Sequence, residues 1–205
     1  MKSESNKPIA GRVAEHNFWP AERQYSVGLD TTCSRDLWGP LASSQGPVVL
    51  GEILAPERIK VPLLGRTSRE VIGELIEMLV SSDELSDGDE VLSAMVNRER
   101  TRSTGIGRQV AIPHARTSQV NRLLMAVGLC AQPVDFGGGD QAGVRLVVML
   151  ISPEHMQADH IRVLRRVTDL MGVATVHDKL LESVSSEALY DVIRRYEVDL
   201  ESVNG

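Results

Sequence analysis

Histidine is the residue type in this sequence best suited to chemistry near neutral pH, and one histidine follows a proline. The five histidines are His16, His114, His155, His160 and His177. His114 comes directly after Pro113, whose ring fixes the backbone just before the imidazole. It also ends the extended segment Val110–Pro113, and α/β folds tend to present functional side chains at strand ends. From the residues alone, His114 is either a functional histidine or a structural histidine at the end of a strand.

His160 is the second histidine with a predicted position inside the fold. It shares one helical stripe with Leu164, Val167 and Met171, at spacings of four, seven and eleven residues, and therefore faces the interior. A lone histidine of this kind is normally a core residue hydrogen-bonded to the backbone. Because His114 is a second candidate, the two imidazoles could meet at one pocket.

The glycine-containing segment before His114 suggests an anion site. We predict a turn at Ser103-Thr104-Gly105-Ile106-Gly107, whose successive backbone N–H groups would form a concavity that can hold an anion. The same glycines begin a G-x-G-x-x-G pattern, but residue 110 is valine, so a dinucleotide site is not indicated. The sequence also lacks the patterns of P-loop nucleotidases, serine-hydrolase elbows and dedicated zinc sites.

A metal site is the alternative use of the histidines. His114, His155, His160 and Glu154 could supply its ligands. His155 and His160 are five residues apart on the predicted helix, however, and side chains at that spacing point to different faces. The metal site is therefore weakly supported, and we expect neither a metal nor another cofactor.

The composition is that of an acidic, soluble chain. It has 205 residues, 22 Lys and Arg against 28 Asp and Glu, and a formal net charge of −6. This balance argues against a nucleic-acid binder, which needs a basic face to neutralise phosphates. No apolar run approaches the ~20 residues of a membrane span, and the N-terminus has no apolar signal-peptide core. Two cysteines, Cys33 and Cys130, are too few for a disulfide framework. We expect a cytoplasmic protein without membrane insertion.

The first 47 residues differ from the remainder in composition and pattern. No helical or strand period persists there, and Pro, Gly and Ser are frequent. We predict a flexible N-terminal extension over residues 1–47, one folded domain over 48–200 and a C-terminal tail over 201–205. The alternative for the extension is a docking segment anchored by Trp19 or Trp38, since tryptophan is enriched at interfaces.

The pattern after residue 48 alternates between strands and helices. Residues 58–63 resemble an edge strand, and residues 123–130 and 144–151 are apolar runs typical of strands buried on both faces. The predicted helices begin at the Thr67–Glu70 capping box, at Ser86–Asp87 and at Ser152–Pro153, and two more span 177–183 and 187–196. His177 lies on a polar helix face, where we expect it to be solvated. This order predicts an α/β (α+β layered) fold with a mixed central sheet flanked by helices.

The residues around His114 resemble a known family. Arg98-Glu99, Ser103-Thr104-Gly105-Ile106-Gly107 and Ala111-Ile112-Pro113-His114 together resemble the enzyme IIA domain of the fructose/mannitol type (type 2), which includes nitrogen-related enzyme IIA proteins. The resemblance extends over about residues 48–197. It implies a mannitol/fructose-type enzyme IIA fold and a soluble phosphocarrier of the bacterial phosphoenolpyruvate-dependent sugar phosphotransferase system.

The resemblance also implies roles for individual residues. His114 matches the histidine that is transiently phosphorylated, His160 the second pocket histidine that supports it, and Arg98 the arginine that contacts the phosphoryl group. The glycine segment 103–107 becomes the phosphoryl-binding loop. Histidine suits this chemistry because its reference pKa of ~6.5 leaves it neutral and nucleophilic at pH 7. A guanidinium and backbone amides can stabilise the transferring group without a metal.

The partners implied by the resemblance are proteins. The phosphoryl donor would be the phosphocarrier HPr or its nitrogen-branch equivalent. The recipient would be a sugar-specific enzyme IIB or a set of target proteins regulated by the phosphorylation state.

One position departs from the family pattern. The family usually has glycine two residues after Gly107, where this chain has Gln109. If this position adopts a positive φ, glutamine strains the loop by ~1 kcal/mol or shifts it.

Two other functions remain open beside the phosphocarrier. One is a regulatory protein-binding module with the same fold that acts without phosphoryl turnover; an altered His114, Arg98 or His160 would indicate it, and all three are intact. The other is an unrelated metal-dependent enzyme, which bound metal would reveal. The intact residues favour the phosphocarrier.

Overall fold

The computed structural model describes residues 48–137 and 142–204 of the chain. The predicted extension over residues 1–47, with its candidate docking segment, lies outside the described residues. The described helices are α1 (Leu50–Ile53), α2 (Ser68–Ser81), α3 (Gly88–Thr101), α4 (Gln157–Gly172), α5 (Ala174–Leu181) and α6 (Ser186–Asn204), with a 3-10 turn at Pro56–Arg58. None of these helices is long and apolar enough to cross a lipid bilayer.

The strands form one mixed sheet, as the sequence predicts. They are β1 (Ile59–Leu63), β2 (Gly105–Gly107), β3 (Val110–Ala111), β4 (His114–Thr117), β5 (Leu124–Val134) and β6 (Val144–Pro153). Strand β6 is antiparallel to β5 on one side and parallel to β3 and β4 on the other, where these two short strands follow each other. Strand β1 is the parallel neighbour of β5 at one edge, and β2 is the antiparallel neighbour of β3 at the other.

Strand β6 separates two buried clusters, which explains its continuous apolar sequence. On one side of the sheet, which we call the α4 face, it packs against α1, α4, α5 and α6 through Leu146, Val148 and Leu150. On the opposite side, the α2 face, it packs against α2 and α3 through Val147, Met149 and Ile151. The two sets alternate because successive side chains of a strand point to opposite faces.

Helices α2 and α3 begin where the sequence indicates. The Thr67 hydroxyl accepts from the backbone N–H of Glu70, and the Glu70 carboxylate accepts from the backbone N–H of Thr67, each at 3.2 Å. Asp87 caps α3 because its carboxylate accepts from the backbone N–H groups of Asp89 and Glu90. Helix α3 then runs to Thr101, which places Arg98 in its last turn.

Helix α4 begins later than the predicted start at Ser152–Pro153. Both residues belong to the end of β6, where they pair with β4, and the helix begins at Gln157. The Ser152 hydroxyl therefore does not cap a helix; it lies 2.7 Å from Nδ1 of His160. A Ser-Pro pair is compatible with either the start of a helix or the end of a strand. Here both residues belong to the strand because they pair with β4.

The chain reversal in the glycine segment lies further along than the predicted turn at 103–107. Gly105–Gly107 form strand β2, and the turn to β3 consists of Arg108 and Gln109. Both turn residues have positive φ, 53° and 63°, as in the type I′ turns of two-residue hairpins. Gln109 therefore adopts the conformation in which glutamine is strained.

Helix α5 corrects one further prediction. His177 in α5 is not solvated: it is 5% exposed, and its Nε2–H donates to the carbonyl of Arg108 at 2.7 Å. The face that looks polar in the sequence is covered by the β2–β3 turn. Helix α6 runs to Asn204.

Candidate functional site

His114 is the first residue of β4. Pro113 comes directly before it, in the short break that separates β3 from β4 along their common neighbour β6. The sequence places it at the end of a strand; the structure places it at the start of the next one, because proline has no N–H for the ladder. Its imidazole is held at both nitrogens. Nδ1 lies 2.8 Å from the carbonyl of Ile112, and Nε2 lies 3.0 Å from Nη2 of Arg98.

These two contacts define the tautomer of His114. A guanidinium can only donate, so Nε2 must accept the hydrogen bond from Arg98 with its lone pair. A carbonyl can only accept, so Nδ1 carries the proton and donates it to Ile112. The ring is thus oriented by the backbone, with its nucleophilic nitrogen, Nε2, beside a fixed positive charge.

Burial and charge keep His114 neutral near pH 7. Burial lowers its pKa, and the nearby Arg98 guanidinium lowers it further. The hydrogen bond to Ile112 and the Glu99 carboxylate act in the opposite direction, but the net shift of the pKa is downward. A neutral imidazole is the form that can attack an electrophile.

Arg98 is fixed by a second contact at the end of its own helix. Its Nη1 donates to the carbonyl of Arg102 at 2.7 Å, while Nη2 reaches His114. The guanidinium is therefore held between the C-terminal end of α3 and the imidazole. Its planar fork is suited to binding two oxygens of a phosphoryl group.

His160 joins the site from the first turn of α4, as its helical stripe predicts. It is 6% exposed, and its ring centroid lies 5.5 Å from that of His114, with the planes tilted by 59°. Burial lowers its pKa to about 4, helped by His114 and by the positive charges of Arg116 and Arg98. His160 is therefore a neutral imidazole at physiological pH.

The predicted phosphoryl-binding loop Ser103-Thr104-Gly105-Ile106-Gly107 lies beside His114, because the carbonyl of Thr104 accepts from the N–H of Ile112 at 3.0 Å. Two of its backbone N–H groups have partners inside the protein. The N–H of Thr104 donates to Glu99 at 2.9 Å, and that of Gly105 to the Ser103 hydroxyl at 3.1 Å. These two hydrogen bonds, one of them to α3, hold the loop in shape. Ile106 projects from the loop and is 47% exposed.

Sequence reasoning assigned no role to Glu99 and placed Ser152 in a helix cap. Glu99 accepts from both the N–H and the hydroxyl of Thr104, and so links the end of α3 to the loop. Its position next to Arg98 was the available signal. Nothing in the sequence indicates that Ser152 reaches His160, since the contact depends on the register of β6 and the start of α4.

The alternative metal site does not assemble from its four predicted ligands. His114 and His160 are neighbours, but His155 and Glu154 are exposed to solvent. Among residues 48–137 and 142–204, no group of three or more His, Cys, Asp and Glu side chains is arranged to hold a metal ion.

The chain matches a known protein family over most of its length. The sequence profile described as "Phosphoenolpyruvate-dependent sugar phosphotransferase system, EIIA 2" matches residues 52–196, well over half of the chain. The chain belongs to this family. The resemblance predicted from the residues around His114 is confirmed.

Two relatives illustrate the range of EIIA 2 proteins. The chain is 32% identical over 144 residues to a nitrogen regulatory protein of Pseudomonas aeruginosa, covering 70% of this chain and 94% of that protein. It is also 32% identical over 146 residues to the PTS system fructose-specific EIIABC component of Bacillus subtilis, covering 71% of this chain and 23% of that protein. This chain therefore spans less than a quarter of the second, longer relative.

A solved EIIA structure has the same fold. The crystal structure of nitrogen regulatory protein IIA-Ntr from Neisseria meningitidis superposes with a TM-score of 0.65 at 26% identity, covering 71% of this chain and 99% of that chain. The predicted enzyme IIA fold, a mixed sheet flanked by helices, is confirmed.

Proposed function

We propose that this EIIA 2 domain is a phosphocarrier that accepts a phosphoryl group on Nε2 of His114. The observation that carries the proposal is the pair of contacts on the ring. The carbonyl of Ile112 holds the proton on Nδ1, and Arg98 stands 3.0 Å from the lone pair on Nε2. A neutral, oriented nucleophile beside a guanidinium is what phosphoryl transfer without a metal requires.

The transfer step conserves atoms and charge. The Nε2 lone pair of His114 forms the new N–P bond, and the electron pair of the donor's N–P bond returns to the nitrogen of the donor imidazole. The proton on Nδ1 stays in place, and its hydrogen bond to Ile112 strengthens as positive charge develops on the ring. No other proton has to move.

Arg98 and His160 have separate roles in this proposal. Arg98 leaves the Nε2 lone pair when phosphorus approaches and then binds the phosphoryl oxygens, which carry the charge of the loose transition state. His160, neutral and 5.5 Å away between ring centroids, shields and orients the phosphorylated ring. The segment Ser103-Thr104-Gly105-Ile106-Gly107 borders the phosphoryl group and shapes this side of the pocket.

The partners we propose are other phosphotransfer proteins. The donor is HPr or its nitrogen-branch equivalent, and the recipient is an enzyme IIB or a target protein regulated by the phosphorylation state. Each of these recipients has support from a relative, because a nitrogen regulatory protein and a fructose-specific component both match at 32% identity. Such partners place the protein in the cytoplasm.

The test is reconstitution of the phosphoryl relay. Incubation with phosphoenolpyruvate, enzyme I and HPr is expected to add one acid-labile, base-stable phosphate. His114→Ala abolishes the label, whereas His155→Ala, at an exposed histidine of the same domain, retains it. Equal labelling of His114→Ala would overturn the assignment. A wild-type protein that binds its partners but takes no phosphate would support the binding-only module instead.

We also propose that residues 48–200 form the phosphoacceptor domain and that residues 1–47 are a separate extension. Deletion of residues 1–47 is expected to leave the thermal midpoint and phosphoryl acceptance nearly unchanged. A large drop in the midpoint would show that Trp19 or Trp38 packs into the domain and that the proposed boundary is wrong.

A further inference from the structure

A buried hydroxyl stands behind the second histidine of the site. Ser152 is 0% exposed, and its Oγ lies 2.7 Å from Nδ1 of His160. Among the residues that the structure describes, this imidazole nitrogen is the one hydrogen-bond partner found for the Ser152 side chain.

The sheet register explains why Ser152 is there. In the parallel ladder of β4 and β6, His114 is opposite Leu150, and Arg116 is opposite Ser152. Leu150 packs on the α4 face, and a residue two positions further along the strand points to the same face. The ladder therefore brings both His114 and Ser152 to the side of the sheet from which His160 enters.

Burial determines the direction of the hydrogen bond between Ser152 and His160. If Nδ1 of His160 donated, the hydroxyl hydrogen of Ser152 would be left without an acceptor in a solvent-free position, which is costly. If the hydroxyl donates instead, Nδ1 accepts with its lone pair and both groups are satisfied. A neutral imidazole that accepts at Nδ1 must carry its proton on Nε2.

We propose that Ser152 is a positioning residue that fixes His160 in the tautomer protonated on Nε2, so that His160 offers an N–H donor to a phosphoryl group on His114. The consequence for the phosphoryl group rests on the proposed function; the tautomer itself does not.

The tautomer matters because phosphoryl oxygens accept hydrogen bonds and do not donate them when ionised. An Nε2–H donor attracts these oxygens, whereas an Nε2 lone pair would repel them. The low pKa of His160, about 4, keeps the ring neutral, so its proton is not supplied by protonation from solvent at neutral pH. In this site the donor exists only in the correct tautomer, and Ser152 selects it.

The direct test is nitrogen NMR of ¹⁵N-histidine-labelled protein at pH 7, in which the two ring nitrogens report where the proton resides. The wild type is expected to show His160 protonated on Nε2. Ser152→Ala shifts it toward the tautomer mixture of a histidine side chain in water, a loss of bias of roughly ten-fold for one buried hydrogen bond. Ser152→Thr, which retains the hydroxyl, restores the Nε2–H form. Ser118→Ala, at an exposed serine in the turn after β4, is the control and changes nothing.

The second readout separates positioning from simple stability. In single-turnover assays, Ser152→Ala is expected to accept phosphate on His114. The variant then loses the phosphate to water faster or passes it on more slowly, by about five- to ten-fold, which corresponds to one neutral hydrogen bond. The thermal midpoint serves as the folding check. An unchanged His160 tautomer in Ser152→Ala overturns the proposal. A wild-type protein that takes no phosphate overturns the proposed function alone, because the tautomer measurement does not depend on transfer.

Discussion

Nη2 of Arg98 donates to Nε2 of His114 across 3.0 Å, so a guanidinium covers the one ring nitrogen with an available lone pair. The other nitrogen is already bound to the carbonyl of Ile112. If His114 is the phosphoacceptor, as we propose, the cation occupies the place that the phosphoryl group would enter. Arg98 is also bound to the carbonyl of Arg102 at the end of its helix, so the proposed transfer requires the guanidinium to exchange the Nε2 contact for the phosphoryl oxygens while it stays beside His114.

Substitution of Arg98 is expected to slow phosphoryl transfer without unfolding the domain. Arg98→Lys retains a charge but loses the planar fork, so transfer becomes slower. Arg98→Ala loses the contact completely, and rates fall by ~10²–10³. Single-turnover kinetics with phosphorylated HPr measures both. Arg100→Ala, at an exposed arginine of the same helical turn, is the matched control and keeps the parent rate.

His160→Ala is expected to leave uptake of the phosphoryl group by His114 intact but to impair its retention. His114 keeps both of its ring contacts in this variant, so it still takes up phosphate. The phosphorylated ring then lacks its neutral neighbour and is hydrolysed faster or passed on more slowly. Following the label over time after removal of the donor measures this directly. Parent rates for both steps would show that His160 does not line the site.

The two histidines are expected to weaken the fold at moderately acid pH. Burial lowers the pKa of His160 to about 4 and also lowers the pKa of His114. Unfolded histidines bind a proton below about pH 6.5, so between pH 6.5 and about 4 the unfolded state binds more protons than the folded state. Stability that is fully present above pH 6.5 is therefore lost as the pH falls through this window.

Urea unfolding at several pH values checks this prediction. The difference in the free energy of unfolding between wild type and His160→Gln is expected to shrink as the pH falls from 7 to 4.5, because the variant has no group to protonate at this position. A difference that stays constant with pH would contradict the lowered pKa. Phosphoryl acceptance is expected to persist somewhat below pH 6.5, because the lowered pKa of His114 keeps its imidazole neutral there.

Gln109→Gly is expected to stabilise the domain by about 1 kcal/mol. Gln109 has φ +63° in the β2–β3 turn. In this conformation a β-carbon lies too close to the backbone, and glycine avoids this steric cost because it has no β-carbon. Its backbone carbonyl, which accepts from the N–H groups of Arg145 and Leu146, is unaffected by the change. Denaturant unfolding measures the gain. Gln109→Ala removes the same side chain but keeps the β-carbon, so it is the control and should give no gain.

His177→Phe is expected to destabilise the same turn. The variant keeps an aromatic ring in the buried position but loses the Nε2–H that donates to the carbonyl of Arg108 at 2.7 Å. We expect a loss of about 1–3 kcal/mol in the free energy of unfolding, because the carbonyl of Arg108 would be left without its hydrogen-bond donor. His177→Gln, which can still donate, recovers part of this loss, and His155→Phe at the exposed histidine costs little. Equal stability of His177→Phe and wild type would show that this bond does not hold the turn.

Features that depend on local patterns could be predicted from the amino-acid sequence. The apolar runs of β5 and β6 are buried on both faces, the Thr67–Glu70 capping box starts α2, and the helical stripe of His160 faces inward. Each follows from neighbours within one or two helical turns, or from the alternation of a strand. The motif from Arg98 to His114 also identified the protein family, because its residue types and their spacing are specific.

Contacts between individual atoms could not be predicted in this way, because they depend on how distant segments pack together. Ser152 is a strand residue because β6 pairs with β4, His177 is buried because the β2–β3 turn covers it, and the turn itself lies at Arg108 and Gln109 because of the pairing of β2 with β3. These positions depend on contacts between segments far apart in the chain, and the local sequence allows more than one outcome for each. The tautomer of His114 belongs to the same class, since its Nδ1 proton faces the carbonyl of Ile112 that the fold supplies. The tautomer that we propose for His160 likewise depends on Ser152, a residue of another element.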